Sequence, residues 1–326
     1  LTMSRFRIIS ILFLTFGFTI LSAHQGYPYP KNGILDLSRT ELNEQSIFDL
    51  NGEWLFYWEK LLIPENYEQH QGTGITVTIP SYWEGYEIDG KSLPGSGYGT
   101  YSLRILLPEN FRSPICIDIP IFDAAYRFYL NDRLISENGK VGTSREEEEP
   151  WYDPENFCYI PDSDTLQLLI QVSNFHHRRG GFWQSMVMGD PDKVLDRKER
   201  RRMYNYSTIG VLFFFMLFYM IFWSLSRKQL IMLIFSLATL GILMRSVNTG
   251  LYFSNAFIDT SWSWQVRMEY LGSYLAQLFG MIFLHMMFPR RYMNRVIQAN
   301  TVLMALAAVS LFVLPVRLFS YGMLVY

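Results

Sequence analysis

Between Ser207 and Leu225 the chain runs for nineteen residues, STIGVLFFFMLFYMIFWSL, without a charge or a proline. As an α-helix rising 1.5 Å per residue, this stretch is about 28 Å long, close to the hydrocarbon thickness of a bilayer. A helix at the edge of a soluble core keeps one polar face. This one is apolar all round, with Phe213, Phe214, Phe215 and Met216 at its centre. The run predicts a membrane span, and it divides the chain into two unlike parts.

The division shows in the charges. From His24 to Met203 there are 18 Lys/Arg against 28 Asp/Glu, a net charge of −10. From Tyr204 onward there are 8 basic residues against two acids, Asp259 and Glu269. The overall formal charge of −2 averages an acidic first part and a basic second part. An acidic domain lacks the basic surface that nucleic-acid phosphates require, so a nucleic-acid partner is excluded.

Ahead of the acidic part, Arg5 and Arg7 precede an apolar run from Ile8 to Ile20, then Leu21-Ser22-Ala23. This is the pattern of a secretory signal peptide over residues 1–23, cleaved after Ala23; Leu21 fits the −3 position poorly, which leaves an uncleaved anchor as the alternative. Either reading exports the acidic domain. Because Met3 lies behind Leu1, translation is expected to start at Met3 or further upstream. The last residues, LFSYGMLVY, are apolar to the end, and the natural protein is expected to continue beyond Tyr326.

After a lead-in over 24–44, residues 45–190 alternate apolar and polar positions in short segments, the period of a half-buried strand. Trp54, Phe56 and Trp58 share a face, as do Ile75, Val77 and Ile79; so do Tyr101, Leu103 and Ile105. The pattern returns at Ile115, Ile117 and Ile119, at Tyr126, Phe128 and Leu130, and at Leu166, Leu168, Ile170 and Val172. Turn pairs such as Pro94-Gly95, Asn131-Asp132, Asn138-Gly139 and Pro161-Asp162 separate them. Many short strands with hardly a helical period predict a β-sandwich or jelly roll.

Three features of this domain bear on chemistry. Glu146 to Glu149 read as a solvated loop, with a calcium or partner patch as the rival. Cys116 and Cys158 are the two cysteines, and an exported domain permits a disulfide, but Cys116 falls in a strand and Cys158 in a loop, and whether they meet is left open. His176 and His177 are adjacent, so on a strand they point to opposite faces; no Cys/His spacing resembles a metal site, and no cofactor is expected.

Residues 191–206 form a charged linker, from Pro191 to Tyr206, that reads either as a rod passing motion to the membrane or as a segment resting on headgroups. The spans then follow at about 207–225, 229–248, 265–288 and 296–314, with a fifth starting near Leu318. Arg227 and Lys228, then Arg290, Arg291 and Arg295, mark basic loops, whereas 248–264 carries no Lys or Arg. The basic loops belong to the cytoplasm, which puts the β domain outside; the exported orientation overrides the outward position of Arg200, Arg201 and Arg202. Arg245 and Glu269 fall at similar depth on antiparallel neighbours. They either pair or snorkel separately to the outer interface.

Several of these segments together resemble known proteins. Leu50-Asn51-Gly52-Glu53-Trp54-Leu55-Phe56, Ile79-Pro80-Ser81-Tyr82-Trp83-Glu84, Gly97-Tyr98-Gly99-Thr100-Tyr101, Leu130-Asn131-Asp132 and Val172-Ser173-Asn174 fall in the order seen in the sugar-binding jelly roll of β-galactosidase and β-glucuronidase relatives. Asn174-Phe175-His176, Gly180-Gly181-Phe182-Trp183 and Gly189, running through a basic linker into repeated spans, resemble bacterial seven-transmembrane receptors with diverse intracellular signalling modules (7TMR-DISM). The resemblance covers about residues 45–326. It implies a multi-domain protein: an exported galactose-binding-like β-sandwich, then an all-α transmembrane bundle leading to a cytoplasmic kinase, cyclase or phosphatase.

A receptor is the first functional reading, with Trp83, Tyr98, Asn131, Trp151, His176, His177 and Trp183 as candidate ligand contacts. Aromatic faces stack on sugar C–H faces, and amides or imidazoles bond hydroxyls. The competing reading of Trp83 is core, as it is for Trp54, Trp58 and Tyr101. A membrane-bound glycosidase is the second reading; it needs paired carboxylates, and Glu84, Asp118 and Asp123 have no evident pairing. A transporter or assembly component, with the β domain as interaction surface, is the third. The expected partners are the lipid bilayer, a small-molecule or carbohydrate ligand outside, and a second copy of the chain as a homodimer. The expected location is the bacterial inner membrane, with the β domain periplasmic or extracellular.

Overall fold

A computed structural model describes residues 28–43, 46–120, 124–152, 156–257, 260–290 and 292–325. The 1–23 segment, Asp123 and Asp259 lie outside the described residues. Two sheets carry the first part. The larger joins β10 (Arg133–Asn138), β9 (Ala125–Leu130), β12 (Thr165–Asn174), β7 (Gly97–Leu106), β3 (Gly52–Trp58) and β4 (Ile75–Ile79) in that order, and β1 (Ile34–Asp36) pairs with β7 in parallel. The smaller joins β11 (Asn156–Tyr159), β8 (Ile115–Asp118), β13 (Val187–Gly189) and β2 (Ile47–Asp49). A two-stranded ribbon, β5 (Glu87–Ile88) with β6 (Lys91–Ser92), completes the domain.

The alternating residues explain this arrangement. Trp54, Phe56, Tyr101, Leu103, Ile105, Phe128, Leu168 and Ile170 point from the larger sheet into one core, where they meet Phe48, Ile117 and Met188 of the smaller sheet. That shared interior makes the domain a sandwich. The opposite face of the larger sheet is covered as well. A short helix, Pro64–Tyr67, and the loop before it cover that face, where Leu62 and Tyr67 are buried with Tyr57 and Leu169 of the sheet. Three hydrogen bonds tie polar groups on that face: Thr100 Oγ1 donates to the Lys60 carbonyl at 2.7 Å, Ser102 Oγ to Tyr67 Oη at 2.8 Å, and Gln171 Nε2 to the Leu62 carbonyl at 3.0 Å.

Cys116 and Cys158 are bonded. Cys158 lies in a strand, β11, and not in a loop: it faces Cys116 directly across the β11–β8 pairing, and the bond ties an edge strand to its neighbour.

The second part is helical. α1 (Pro191–Leu225), α2 (Leu230–Val247), α3 (Trp262–Met287) and α4 (Met293–Val313) are long and apolar enough to cross a membrane, and a short turn of helix, Val316–Phe319, follows. The charged linker 191–206 is not separate from the first span. It is the opening of α1, one helix of 35 residues, about 52 Å long at 1.5 Å per residue. Asp190 caps it, its side chain accepting from the Asp192 and Lys193 amides, and Pro191 occupies the first helical position, where no amide proton is needed.

The helices approach closely where side chains are smallest. At the α2–α3 crossing, a Cβ on Gly272 would lie 2.7 Å from both the Arg245 amide nitrogen and the Gly241 carbonyl oxygen. The missing side chains are what let these backbones touch. Ser236 on α2 is buried and donates to the Met216 carbonyl of α1 at 2.8 Å, and Gln277 on α3 donates to Asn300 of α4 at 3.4 Å.

Candidate functional site

The segment 174–183, between β12 and β13, is built from its ends inward. Asn174 is buried at the end of β12; its Nδ2 donates to the Gly95 carbonyl at 2.6 Å and to the His177 carbonyl at 3.0 Å, and its Oδ1 accepts from the His177 amide. Further on, the Trp83 amide donates to the Gly180 carbonyl and the Ser81 amide to the Phe182 carbonyl. Gly180 must be glycine, because a Cβ there would lie 2.5 Å from the Trp83 ring. Beneath both segments stands Tyr101, fully buried. Its hydroxyl accepts from Trp83 Nε1 at 2.9 Å and from the Phe182 amide at 3.2 Å, and donates to Tyr86 Oη at 3.5 Å. Burial pushes the Tyr101 phenol well above its ordinary pKa, and burial likewise pushes Tyr86 up to about 12.

Trp83 is therefore core. It is fully buried and its indole N–H is committed to Tyr101, so it supports the loops above it and offers none of its own surface. Above it, half-exposed, Tyr82 and Trp183 stack at 5.8 Å with 21° between their planes, and the Arg179 guanidinium covers Tyr82 at 4.9 Å. His177 Nδ1 lies 3.2 Å from the Arg179 carbonyl. Tyr98, half-buried, faces Phe175 at 6.5 Å. Tyr98, His177 and Trp183 thus belong to one loop face. Asn131 does not: it pairs with Gln167, its Oδ1 accepting the Gln167 amide at 2.8 Å. That is seven residues down β12 from Asn174, about 24 Å away along an extended strand. Asn131 holds the β9–β10 turn with φ +52°, where its short polar side chain tolerates the left-handed conformation.

Trp151 and His176 go to a different place, the junction of the sandwich with the helices. Tyr152 stacks on Tyr252 at 3.8 Å and 15°, and Trp262, at the start of α3, lies 6.1 Å from Tyr152 and 6.3 Å from the His176 ring. Trp151 packs against this cluster. Asn255 Nδ2 donates to the Tyr152 carbonyl at 3.2 Å and in turn accepts from Gln265. Behind His176 stands Glu148, and here the acidic run departs from a solvated loop: the Glu148 side chain is fully buried, its Oε2 accepting from the Phe175 amide and lying 3.1 Å from His176 Nδ1. The other acids of the run are exposed, and the Thr143 amide and hydroxyl, donating to Glu147, hold that carboxyl below its usual range.

A second attachment joins α1 to the smaller sheet. Val194 is fully buried, Arg201 pairs with Asp118 of β8, and Arg197 lies 3.9 Å from Asp49 of β2. At the same root is a cavity of about 840 Å³ floored by Phe48, Phe111, Ile115 and Met188 and rimmed by Asp190 and Asp192. Deeper in the helices, Arg245 lies 4.0 Å from Glu269 and donates to Ser273 at 3.0 Å. Among the acids considered for glycoside chemistry, Asp118 is committed to Arg201, and Glu84 sits on the loop face beside Gly95. No group of three His, Cys, Asp or Glu side chains among the described residues is placed to hold a metal ion.

Sequence reasoning did not find Tyr152, Tyr252, Trp262 and Glu148, because aromatic residues in loops carry no period and a single acid in a run of four has no distinguishing mark.

No known family profile and no curated protein matches this chain. Solved structures similar to part of it are a β-glucuronidase from Ruminococcus gnavus (15% identity, 44% of this chain and 28% of that one, TM-score 0.32), a β-glucuronidase from an uncultured Clostridium sp. (13% identity, 44% and 28%, TM-score 0.32) and a GH2 β-galacturonidase from Eisenbergiella tayi bound to galacturonate (14% identity, 45% and 25%, TM-score 0.31). The chain spans less than a third of the length of each of these enzymes.

Proposed function

We propose that this chain is the sensing part of a membrane receptor in the bacterial inner membrane. Its sandwich lies on the outer side and binds a small molecule, with carbohydrate the favoured class. Its helices carry the change inward, in the manner of the 7TMR-DISM receptors that the sequence resembles, to a cytoplasmic output domain. The observation that carries this reading is the double attachment of the sandwich. α1 continues from the Asp190 cap to Leu225 without a break, pinned to the smaller sheet by Arg201–Asp118, while Trp262 of α3 is gripped by Tyr152 and His176. A ligand that favours one arrangement of the loop face shifts the helices by its difference in affinity between arrangements, because a ligand indifferent to them shifts nothing.

The basic loops at 227–228 and 290–295 support the outward placement of the sandwich, and so does the bonded cysteine pair, which an exported compartment keeps oxidised. The chain itself is taken to be non-catalytic and to act as a homodimer. The test is a thermal-shift screen of the full chain in lipid nanodiscs against sugars and other small metabolites, repeated with Trp183→Ala. The reading expects a ligand that raises the melting temperature of the parent and not of the variant; a ligand set that shifts neither contradicts it.

A further inference from the structure

The cavity at the root of α1 shares no lining residue with the loop face. Its volume of about 840 Å³ falls within the roughly 300–1,000 Å³ typical of small-molecule sites. Phe48, Phe111, Ile115 and Met188 give it an apolar floor, and Asp190 and Asp192 stand at its rim. Among the described residues no Lys, Arg or His lines it. The arginines closest along the chain are engaged elsewhere: Arg112 pairs with Asp164 at 2.8 Å, Arg197 lies 3.9 Å from Asp49, and Arg201 pairs with Asp118. Neither Asp190 nor Asp192 makes an ion pair among the described residues.

One Asp190 oxygen, Oδ1, is taken up in capping α1, where it accepts the Asp192 and Lys193 amides. The other oxygen and the exposed Asp192 carboxylate remain for a ligand. The start of a helix carries roughly half a positive charge, which two carboxylates outweigh. The rim therefore favours a cation over an anion. The wall beside it is fixed backbone: the Asp190 amide donates to the Ser46 carbonyl at 2.9 Å, and a Cβ on Gly189 would collide with that same carbonyl. β2, β13 and the first turn of α1 meet along this wall, so an occupant bears directly on the helix that enters the membrane.

We infer that this cavity is a second ligand site and that it takes a small organic cation. An apolar ring or chain lies over Phe48, Phe111 and Met188, and its ammonium meets Asp190 and Asp192. Covering the apolar floor releases water, and charge-assisted hydrogen bonds to the carboxylates fix the head. The site stands independently of what Trp183 and its neighbours bind.

The experiment is calorimetric titration of the full chain in nanodiscs, with empty nanodiscs as the blank for partition into lipid. The probes are phenethylamine, 2-phenylethanol and 3-phenylpropionate, which share a ring and differ in charge. The amine is expected to bind about tenfold more tightly than the alcohol, the usual gain from a charge-assisted bond, and the acid more weakly than either. Asp190→Asn combined with Asp192→Asn is expected to bring the amine down to the level of the alcohol. Asparagine caps a helix as well as aspartate does, so α1 keeps its start. Ser113→Trp, which fills the cavity from its wall, is expected to remove binding of both. Trp183→Ala is expected to leave both unchanged. Equal binding of amine and alcohol, tighter binding of the acid, or no binding by any probe would overturn the inference and leave a ligand at the loop face untouched. Amine binding that survives the paired asparagines and Ser113→Trp, or that is lost with Trp183→Ala, would place the amine elsewhere and overturn it too.

Discussion

The sandwich hides its aromatic rings and the first helix displays them. Trp54, Trp83, Tyr101 and Phe128 are shut off from solvent, whereas Phe213, Phe214 and Phe222 of α1 are between 44% and 59% exposed. In water the second pattern would be unstable, since each exposed ring forfeits roughly 1.5–3 kcal/mol of burial. In hydrocarbon there is no such loss, and cohesion must come from elsewhere. The sandwich is held by apolar volume. The helices are held by backbone contact at Gly241 and Gly272 and by single polar bridges such as Ser236 to Met216. The same residue types do opposite work in two solvents, and the junction at Tyr152, Trp262 and His176 is where one regime passes to the other.

Substitutions break this contrast in graded steps. Gly272→Leu should have the largest effect, because the new side chain meets backbone atoms that cannot move aside; little folded protein should survive detergent extraction and size-exclusion chromatography. The same change at Gly280, which has open space around it, should be tolerated. Tyr101→Phe comes next. It strands the Trp83 N–H and the Phe182 amide in the core, at a cost of about 2–4 kcal/mol, read as a lower denaturation midpoint of the sandwich with the helices unaffected. Trp262→Ala is of similar size, about 3 kcal/mol for removing a buried ring, but the loss falls on the junction and the helices. Its specific signature is a sandwich that binds and melts as before while ligand no longer alters helix exposure.

The pH dependence of the sandwich is smaller still near neutrality and grows at the alkaline end. The raised phenols of Tyr86 and Tyr101 bind their protons more tightly folded than unfolded, so their contribution is complete below the ordinary value of 10 and is lost as pH rises through the folded value, about 12 for Tyr86. Circular dichroism should show the sandwich losing stability above pH 10. Tyr86→Phe should reduce that loss. The smallest effect belongs to Arg112 and Asp164, an exposed pair that holds the Asp164 carboxyl below its usual range; Asp164→Asn should leave the midpoint unchanged at neutral pH.

How much of this was legible depends on whether a residue's neighbours are close in sequence. The alternation at 54/56/58, 101/103/105 and 166/168/170/172 exposed the strands because one face meets a single core. The spans were legible by length, and their basic loops by charge. The parallel pairing of β1 with β7 was hidden, since it joins Ile34 to Arg104 with no local sign. The strand that holds Cys158 carries no mark in the sequence, because NFCY is too short to show a period. The helical nature of 191–206 is masked because a charged helix has no apolar stripe, although Asp190-Pro191 is the start signal of one. At the site, Trp83 looked like a ligand contact because its commitment to Tyr101, eighteen residues on, is visible only in three dimensions.

Everything proposed about transmission depends on α1 being a stiff continuation of the sandwich. Hydrogen–deuterium exchange of the full chain in nanodiscs reads this directly over residues 195–206, the part of α1 ahead of the apolar run. Protection there as strong as in the neighbouring strand β13, lowered when Asp118→Ala removes the partner of Arg201, is the result expected. Complete exchange of 195–206 within seconds, with the sandwich and the apolar run both protected, would show a loose tether and contradict the account.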